Sequence, residues 1–148
     1  MIIERCTAEY LEAWVCLRQA LWPDETLEEH RRNALSLLNR TKNAVVYLAR
    51  EEGGDVVAFA EATLRRDYVN GCSTSPIGFL EGVYVEPPYR NRGLSRMLCK
   101  ALEDWAADLG CIEFASDVLL QNALGQRVHE ALGFEETERV IFYAKRLA

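Results

Sequence analysis

Two carboxylates occupy positions from which they could accept a proton or bind a cation. Glu81 alternates with the apolar residues at positions 79, 83 and 85, so it would place a charge on an apolar strand face, where an unpaired carboxylate is costly. It therefore needs a partner, which could be a ligand, a structural arginine or water. Asp117 follows a second β-rich run, at a strand end where open sheets bind ligands, although an aspartate there could equally cap the next helix.

A further acidic group lies near the end of the chain, where Glu135, Glu136 and Glu138 crowd into four residues. Together with Glu81 and Asp117, these side chains could line a cleft that attracts a small molecule with several ammonium groups. A short acidic loop in water is the alternative, and it is favoured for Glu135 and Glu136.

The segment Arg90-Asn91-Arg92-Gly93-Leu94-Ser95 has the composition of an anion-binding loop. It leads into a run of helical periodicity, and a helix N-terminus offers unpaired N–H groups and the positive end of the helix dipole. Gly93 permits close backbone approach, and the two arginines add charge, so the loop could hold a pyrophosphate. A solvated basic turn has the same composition, but a position between a strand and a crossover helix favours a ligand.

Composition narrows the classes of protein to which the chain can belong. With 148 residues, 49% hydrophobic content and a net charge of −6, residues 1–148 are predicted to form one folded domain. The negative charge disfavours nucleic acid and anionic membranes as partners. No apolar run approaches the ~20 residues that span a bilayer and the N-terminus has no leader pattern, so we expect a cytoplasmic protein. The five scattered cysteines include no CxxC pair, which argues against a metal site or a disulfide framework.

Hydrophobic periodicity predicts the elements that would position these residues. Runs rich in β-branched and aromatic residues predict strands over residues 2–6, 44–49, 56–60, 79–85, 111–115 and 140–144. Apolar spacings of three and four predict helices over residues 10–21, 26–38, 93–109 and 122–132. Thr7 is expected to cap the first helix, and a capping box of Thr26 and Glu29 opens the second.

The connections between these elements predict how the strands pair. The Gly53-Gly54 turn makes residues 44–60 an antiparallel hairpin, whereas strand, helix and strand over residues 79–115 require a parallel crossover. The fold class is therefore α+β, with a mixed central sheet that is antiparallel in its N-terminal half and parallel at a later βαβ junction.

The basic loop resembles a motif of a known family. Arg90, Gly93 and Ser95 match the acetyl-CoA loop pattern Q/R-x-x-G-x-G/A of the GCN5-related N-acetyltransferases (GNAT), with serine in place of the usual Gly or Ala. The element order and the ending Leu132-Gly133-Phe134 are also similar to that family. The resemblance implies a GNAT fold, with helices on both faces of the sheet and a parallel junction that is splayed to bind acetyl-CoA.

Longer stretches resemble the aminoglycoside 6′-N-acetyltransferases within that family; they are residues 68–71, 75–82, 113–117 and 132–138. This resemblance implies acetyl transfer to the 6′-amine of aminoglycoside antibiotics, with resistance as the result. It implies that the substrate contacts Trp22, Tyr68, Glu81, Asp117 and Glu138, although Trp22 could equally be a core residue. It implies that acetyl-CoA contacts Val83, Tyr84, Val85, Arg90, Asn91, Arg92, Gly93, Leu94, Ser95 and Asn122.

The implied reaction is attack of a neutral amine on a thioester, in which Asp117 or Glu81 would accept the amine proton. A backbone amide within Val83–Val85 would stabilise the oxyanion. Many relatives carry a tyrosine acid three residues before Leu-Gly-Phe, and His129 occupies that position here. Histidine is a competent proton donor near neutral pH, but His129 could equally be an ordinary residue of the helix surface.

Three other expectations accompany this reading of the sequence. The apolar segment Val140–Tyr143 would suit an edge contact between two copies, so a homodimer is expected. No metal is expected. The alternative functions are a GNAT enzyme for another amine, such as a polyamine, amino acid or protein N-terminus, and a non-catalytic acetyl-CoA-binding module, because a fold alone does not fix a substrate.

Overall fold

Five strands form one mixed sheet whose spatial order follows the chain. The computed structural model describes all of residues 1–148. The strands are β1 (Ile2–Arg5), β2 (Ala44–Arg50), β3 (Val56–Arg65), β4 (Ile77–Val85) and β5 (Phe114–Ser116). Strands β1 to β4 pair antiparallel and β5 pairs parallel to β4, which confirms the predicted mixed sheet.

Helices pack on both faces of this sheet. They are α1 (Leu11–Leu21), α2 (Leu27–Asn39), α3 (Leu94–Asp108) and α4 (Ala123–Ala131). The capping box that opens α2 is present, since Thr26 and Glu29 exchange their side-chain bonds to backbone N–H groups. Thr7 makes no side-chain cap bond, because a 3₁₀ turn over Ala8–Tyr10 precedes α1. None of the helices has the length and apolar character that crossing a membrane requires.

Of the three hydrophobic clusters of the core, the two larger ones lie on opposite faces of the sheet. One joins α3 to the alternate residues of β3 at positions 58, 60, 62 and 64. The other joins α1 and α2 to Phe59 and the inward residues of β2. Since successive strand side chains point to opposite faces, this alternation sandwiches the sheet between α1 and α2 on one side and α3 on the other. The predicted α+β class is confirmed.

β4 contains a bulge at Glu81. Glu61 of β3 pairs with Gly82, whereas the next residue of β3, Ala62, pairs with Leu80. Glu81 is therefore an extra residue in β4 with no partner on β3. A bulge of this kind bends a strand and redirects its side chains.

The bulge corrects the predicted face of Glu81. Strict alternation would put Glu81 with Phe79, Val83 and Val85 on one face, but the extra residue shifts the alternation by one position. Val83 and Val85 pack in the α3 cluster, whereas Glu81 reaches Thr63 on the α1 face. The prediction is thus wrong for the two valines.

The parallel junction opens after three residue pairs. Pairing between β4 and β5 covers residues 78–80 and 114–116, and β4 then continues to Val85 with only β3 beside it. The backbone groups of residues 81–85 on the β5 side therefore have no strand partner. This is the splayed junction that the GNAT resemblance implies.

The predicted closing strand over residues 140–144 is wrong for the isolated chain. Residues 134–148 contain no strand, and no backbone hydrogen bond joins residues 135–148 to the sheet. Phe142 and Tyr143 are 84% and 89% exposed. A β-rich sequence becomes a strand only by pairing with an edge, and the segment does not reach the free edge of β5 within one chain.

Candidate active site

The predicted anion-binding loop lies between the end of β4 and the start of α3. Gly93 is the N-cap of α3 with φ 79°, and Asn91 also has a left-handed backbone with φ 64°. No side chain caps α3, so the N–H groups of its first turn remain available for an anion. The side chain of Leu94 is buried in the core, which leaves only its backbone for a ligand.

The two arginines of the loop differ in their contacts. Arg90 Nε donates to Val85 O at 2.8 Å, and its guanidinium lies 5.5 Å from the Tyr84 ring centroid. Arg90 therefore fixes the loop to the end of β4. Arg92 is exposed, 5.3 Å from the Tyr89 ring, and has no ion-pair partner. Arg90 has no ion-pair partner either, so both arginines keep a free positive charge, and Arg92 is the one without a hydrogen bond to the backbone.

Glu81 has the partner that its position requires. Its Oε1 atom accepts from Thr63 Oγ1 at 2.6 Å and from Arg65 Nη2 at 2.9 Å. The Arg65 guanidinium stacks 3.6 Å from the centroid of the Phe79 ring. A structural arginine, one of the alternatives that the sequence leaves open, is therefore present, but the Glu81 side chain remains 29% exposed.

Trp22 forms a half-buried wall next to the bulge. Its indole packs against Gly82, where an added Cβ would come within 2.5 Å of Cζ2. The ring meets Phe59 edge-on and stacks on His30, whose Nε2 is hydrogen-bonded to Trp22 O at 2.9 Å. The ring is therefore packed against the core on one side, while the residue keeps partial exposure.

A buried ion pair supports this wall from beneath. Glu61 accepts from Trp14 Nε1 at 3.0 Å and pairs with Arg18, whose guanidinium lies 4.8 Å from the Trp22 ring centroid. Burial raises the pKa of Glu61, although Arg18 and Trp14 oppose this effect by stabilising the charged form. Both charges are removed from water, so each depends on the other.

The loop that carries Tyr68 is held by Glu113. The carboxylate accepts from the N–H groups of Ser73 and Thr74 at 3.0 and 2.9 Å and from Thr74 Oγ1 at 2.5 Å. These bonds, the Thr74 hydroxyl first, lower the pKa of Glu113. Tyr68 itself is 76% exposed.

The same loop meets the C-terminal segment. Gly71 has φ 82°, and a Cβ there would lie 2.0 Å from Thr137 Oγ1. Only glycine permits this approach, which brings the segment that carries Glu138 beside the loop that carries Tyr68. Glu138 is exposed and free of ion pairs, whereas Glu136 pairs with Arg139. The ion pair therefore distinguishes Glu136 from Glu138, whereas Glu135 is exposed and free of ion pairs like Glu138.

Asp117 is exposed, and its carboxylate forms no hydrogen bond within the chain. The cap of α4 is Asn122, whose Oδ1 accepts from Gly125 N at 2.9 Å. The alternative that Asp117 caps this helix is therefore wrong. Leu80 and Ser116 are partners in the parallel pairing, so Glu81 and Asp117 are the next residues on neighbouring strands, where β4 and β5 separate.

His129 is half-buried, and both of its ring nitrogens are engaged. Nδ1 lies 2.7 Å from Gly125 O, and Nε2 lies 2.7 Å from Ser116 Oγ. Ser116 Oγ is also 3.1 Å from Leu80 O. His129 thus faces the end of the β4–β5 pairing and is not an ordinary residue of the helix surface.

The cysteines contribute no reactive thiol to this region. Burial raises the pKa of Cys6 and Cys99 to about 12 and also raises the pKa of Cys72 and Cys111. These thiols stay protonated at neutral pH, and only Cys16 is exposed. No group of three or more His, Cys, Asp and Glu side chains could hold a metal ion.

Comparison with known proteins decides the family. The model of the acetyltransferase (GNAT) family matches residues 5–134. This chain belongs to the GNAT acetyltransferase family. The resemblance of the basic loop and of the element order is thereby confirmed.

Individual relatives of this GNAT chain share nearly its whole length. An aminoglycoside N(6′)-acetyltransferase type 1 from Serratia marcescens is 46% identical over 142 residues, which cover 96% of this chain and 97% of that protein. The structure of AAC(6′)-Iy in complex with the bisubstrate analogue CoA-S-monomethyl-acetylneamine has a TM-score of 0.91 and 43% identity, covering 98% and 97% of the two chains. Apo AAC(6′)-IG from Acinetobacter haemolyticus has a TM-score of 0.95 and 39% identity, covering 100% of both chains.

The splayed junction of this GNAT chain fits acetyl-CoA. The ligand carries a pyrophosphate and a chain of amide groups, and these match the uncapped start of α3 and the unpaired backbone of residues 81–85. Known structures similar to this one contain CoA or a CoA analogue. The expectation of acetyl-CoA as co-substrate agrees with the ligands of these structures.

Several residues of the site escape sequence reasoning. Arg18 lies within a predicted helix, whereas Glu61, Thr63 and Arg65 lie beyond the predicted strand over residues 56–60, which in the structure continues to Arg65. Their place in the site becomes visible only from the residues that they contact in the structure. For Glu61 a signal was present, because an acidic residue interrupts the apolar run of β3.

Proposed function

We propose that this chain transfers the acetyl group of acetyl-CoA to the 6′-amino group of aminoglycoside antibiotics and thereby confers resistance. The observation that carries the proposal is the position of Glu81 and Asp117, which leave neighbouring strands where the sheet opens. Carboxylates beside the acetyl-CoA site suit an acceptor with several ammonium groups. Sequence identity of 43% to 46%, over nearly the full length, to enzymes named for this reaction supports the same acceptor.

The proposed roles follow from the contacts of each residue. The start of α3 and Arg92 bind phosphate groups, and the unpaired backbone of Val83, Tyr84 and Val85 binds the amide chain. Acetyl-CoA, when bound, supplies the thioester carbonyl. An N–H group of residues 83–85 is the proposed donor to the carbonyl oxygen.

The acceptor must lose a proton before it can attack. Asp117 and Glu81 are the proposed bases, directly or through water, since ammonium itself has no free electron pair. Tyr68, Trp22 and Glu138 are proposed to bind the sugar rings and their ammonium groups. The loop contact between Gly71 and Thr137 supports this grouping, because it brings the segments of Tyr68 and Glu138 together.

His129 is proposed as the donor of a proton to the leaving thiolate. Because Nε2 contacts Ser116 Oγ, the proton would pass through that hydroxyl. The pH profile of His129→Ala tests the role. A turnover profile that matches wild type from pH 5 to 9 would remove His129 from the mechanism.

A homodimer and a cytoplasmic location complete the proposal. Ile141 and Phe142 are 77% and 84% exposed in a segment without helix or strand, and β5 is an edge strand. Sedimentation of Phe142→Asp tests the homodimer, because a monomeric variant beside a dimeric wild type supports a contact through this segment and two identical profiles contradict it.

The decisive experiment measures thiol release from acetyl-CoA with kanamycin as acceptor. The control acceptor is an analogue with a hydroxyl group at the 6′ position. Release that requires the 6′-amine would establish the acceptor and the site of transfer together. No release with any aminoglycoside, from a protein that still binds acetyl-CoA, would overturn the proposal in favour of another amine or a binding role.

A further inference from the structure

We infer that Thr63 is a positioning residue for the acceptor, because its hydroxyl fixes the Glu81 carboxylate so that one oxygen remains available for a substrate ammonium group. This inference rests on the proposed function, since it concerns how Glu81 meets the same acceptor. Nothing in the sequence singles out Thr63, which lies near the end of β3 and is the register partner of Phe79.

The hydrogen bond of Thr63 is well placed to set an orientation. Thr63 is buried, with 7% exposure, and Oγ1 donates to Glu81 Oε1 at 2.6 Å. A β-branched side chain on a strand has few rotamers, so its hydroxyl is held in place by the backbone. A charge-assisted bond of this length to a fixed donor restricts the carboxylate more than a mobile partner would.

The second donor to Glu81 binds the same oxygen. Arg65 Nη2 lies 2.9 Å from Oε1, while Oε2 accepts no hydrogen bond from any group of the chain. Both protein donors thus converge on one oxygen atom. Because the carboxylate is planar, fixing Oε1 also fixes the direction of Oε2.

The bulge explains why Glu81 needs such a donor. As the extra residue of β4, Glu81 has no partner on β3, and its side chain leaves the strand at an angle that strand pairing does not determine. Arg65 alone would orient Glu81 less strongly, because its side chain is 43% exposed and water competes with Glu81 for its guanidinium group. Thr63 is the buried member of the pair and therefore the one that sets the geometry.

The test compares Thr63→Val with Thr63→Ser in the full-length enzyme with kanamycin and acetyl-CoA. Valine removes the hydroxyl at nearly constant volume, and serine keeps it. We expect Thr63→Val to lower kcat/KM for kanamycin about tenfold, the loss typical of one hydrogen bond to a charged group. The KM for acetyl-CoA should not change, and Thr63→Ser should recover most of the loss. Thr63→Ala serves as a second variant without the hydroxyl if Thr63→Val does not fold.

A double-mutant cycle separates positioning from a structural role. In a Glu81→Gln background the same Thr63→Val change should lower kcat/KM by less than about twofold, because there is no charged carboxylate left to orient. An equal loss in both backgrounds would overturn the inference, as would wild-type kinetics in Thr63→Val. A wild-type enzyme that releases no thiol with any aminoglycoside would instead overturn the proposed function, and this inference with it.

Discussion

The two sides of the candidate site are built in different ways. The cofactor side comprises the end of β4, residues 90–95 and α3, which buries six of its side chains in the core. The acceptor side comprises Trp22, the bonded pair Thr63 and Glu81, the loop of residues 66–76 with Glu113, and the C-terminal segment of residues 134–148. There Tyr68 is 76% exposed and Phe142 is 84% exposed.

The two sides also recognise their ligands with different groups. The cofactor side offers backbone N–H groups at a helix start and along an unpaired strand edge, so its chemistry depends little on which side chains are present. The acceptor side offers carboxylates and aromatic rings held by contacts between distant positions, such as Thr63 with Glu81 and Thr74 with Glu113. We therefore expect that substitutions on the acceptor side can change acceptor preference without loss of acetyl-CoA binding.

The largest expected effect comes from Arg18→Met, which leaves Glu61 buried without its cation beneath the acceptor side. Removing one partner of a buried pair costs about 3–5 kcal/mol of unfolding free energy. The pKa of Glu61 is already raised by burial and would rise further. The folded state would then hold a proton that the unfolded state loses above about pH 4.5, so stability should fall as the pH rises through that range. Chemical denaturation at pH 5 and pH 8 measures both effects.

The matched control for this change is the double variant Arg18→Met with Glu61→Gln. It removes both charges, so most of the pH dependence should disappear and much of the stability should return. If the stability loss of Arg18→Met relative to wild type were the same at pH 5 and pH 8, the expected rise of the Glu61 pKa would be contradicted.

Gly82→Ala should damage the acceptor side alone. The new Cβ would lie 2.5 Å from Trp22 Cζ2 and 3.0 Å from Leu21 Cδ2, so the indole must move. Overpacking of this kind costs about 1–3 kcal/mol. We expect the KM for kanamycin to rise while the affinity for acetyl-CoA, measured by calorimetry, stays within about twofold. A larger loss for acetyl-CoA would show that the two sides are not independent.

The same division explains what the sequence could predict. The cofactor side is local: Arg90 to Ser95 are contiguous, the helical period of α3 is regular, and Gly93 marks the N-cap. Each of these features can be read within about 20 residues. The fold class, the element order as far as α4 and the splayed junction were therefore predictable, either from periodicity or from the family resemblance.

The acceptor side was not predictable to the same extent because its geometry depends on pairing. The bulge at Glu81 arises from the register between β3 and β4, which alternation within one strand does not reveal. The Trp14–Glu61 and Thr74–Glu113 bonds join residues 47 and 39 positions apart. The segment over residues 140–144 has a strand pattern but does not pair with an edge of the sheet within one chain. Periodicity predicts which residues prefer a strand, whereas the partner decides whether a strand forms.

Asn122 offers a smaller test, because it caps α4 and is also expected to contact acetyl-CoA. Asn122→Ala removes the bond to Gly125 N and should cost about 1 kcal/mol of unfolding free energy. Asn122→Ser keeps a capping oxygen but has no amide group. If Asn122 binds the co-substrate through its amide, the KM for acetyl-CoA should rise in both variants, while only the alanine variant loses stability. A wild-type KM for acetyl-CoA in the serine variant would show that Asn122 caps α4 and does not bind the co-substrate through its amide.

Glu113→Gln should have the smallest effect, and that effect should be confined to the loop of the acceptor side. The Glu113 pKa is lowered, chiefly by the Thr74 hydroxyl. The ionised Glu113 carboxylate therefore stabilises the folded state above the unfolded pKa of about 4.5. This stabilisation is lost as the pH falls through the lower pKa of the folded state. Hydrogen exchange of the Ser73 and Thr74 amides should be faster in the variant at pH 7, and the two proteins should converge in strong acid. Exchange in α3 should not change, since the cofactor side shares no contact with this carboxylate. Faster exchange in both regions would mean that the loop and α3 open together, which would contradict the independence of the two sides.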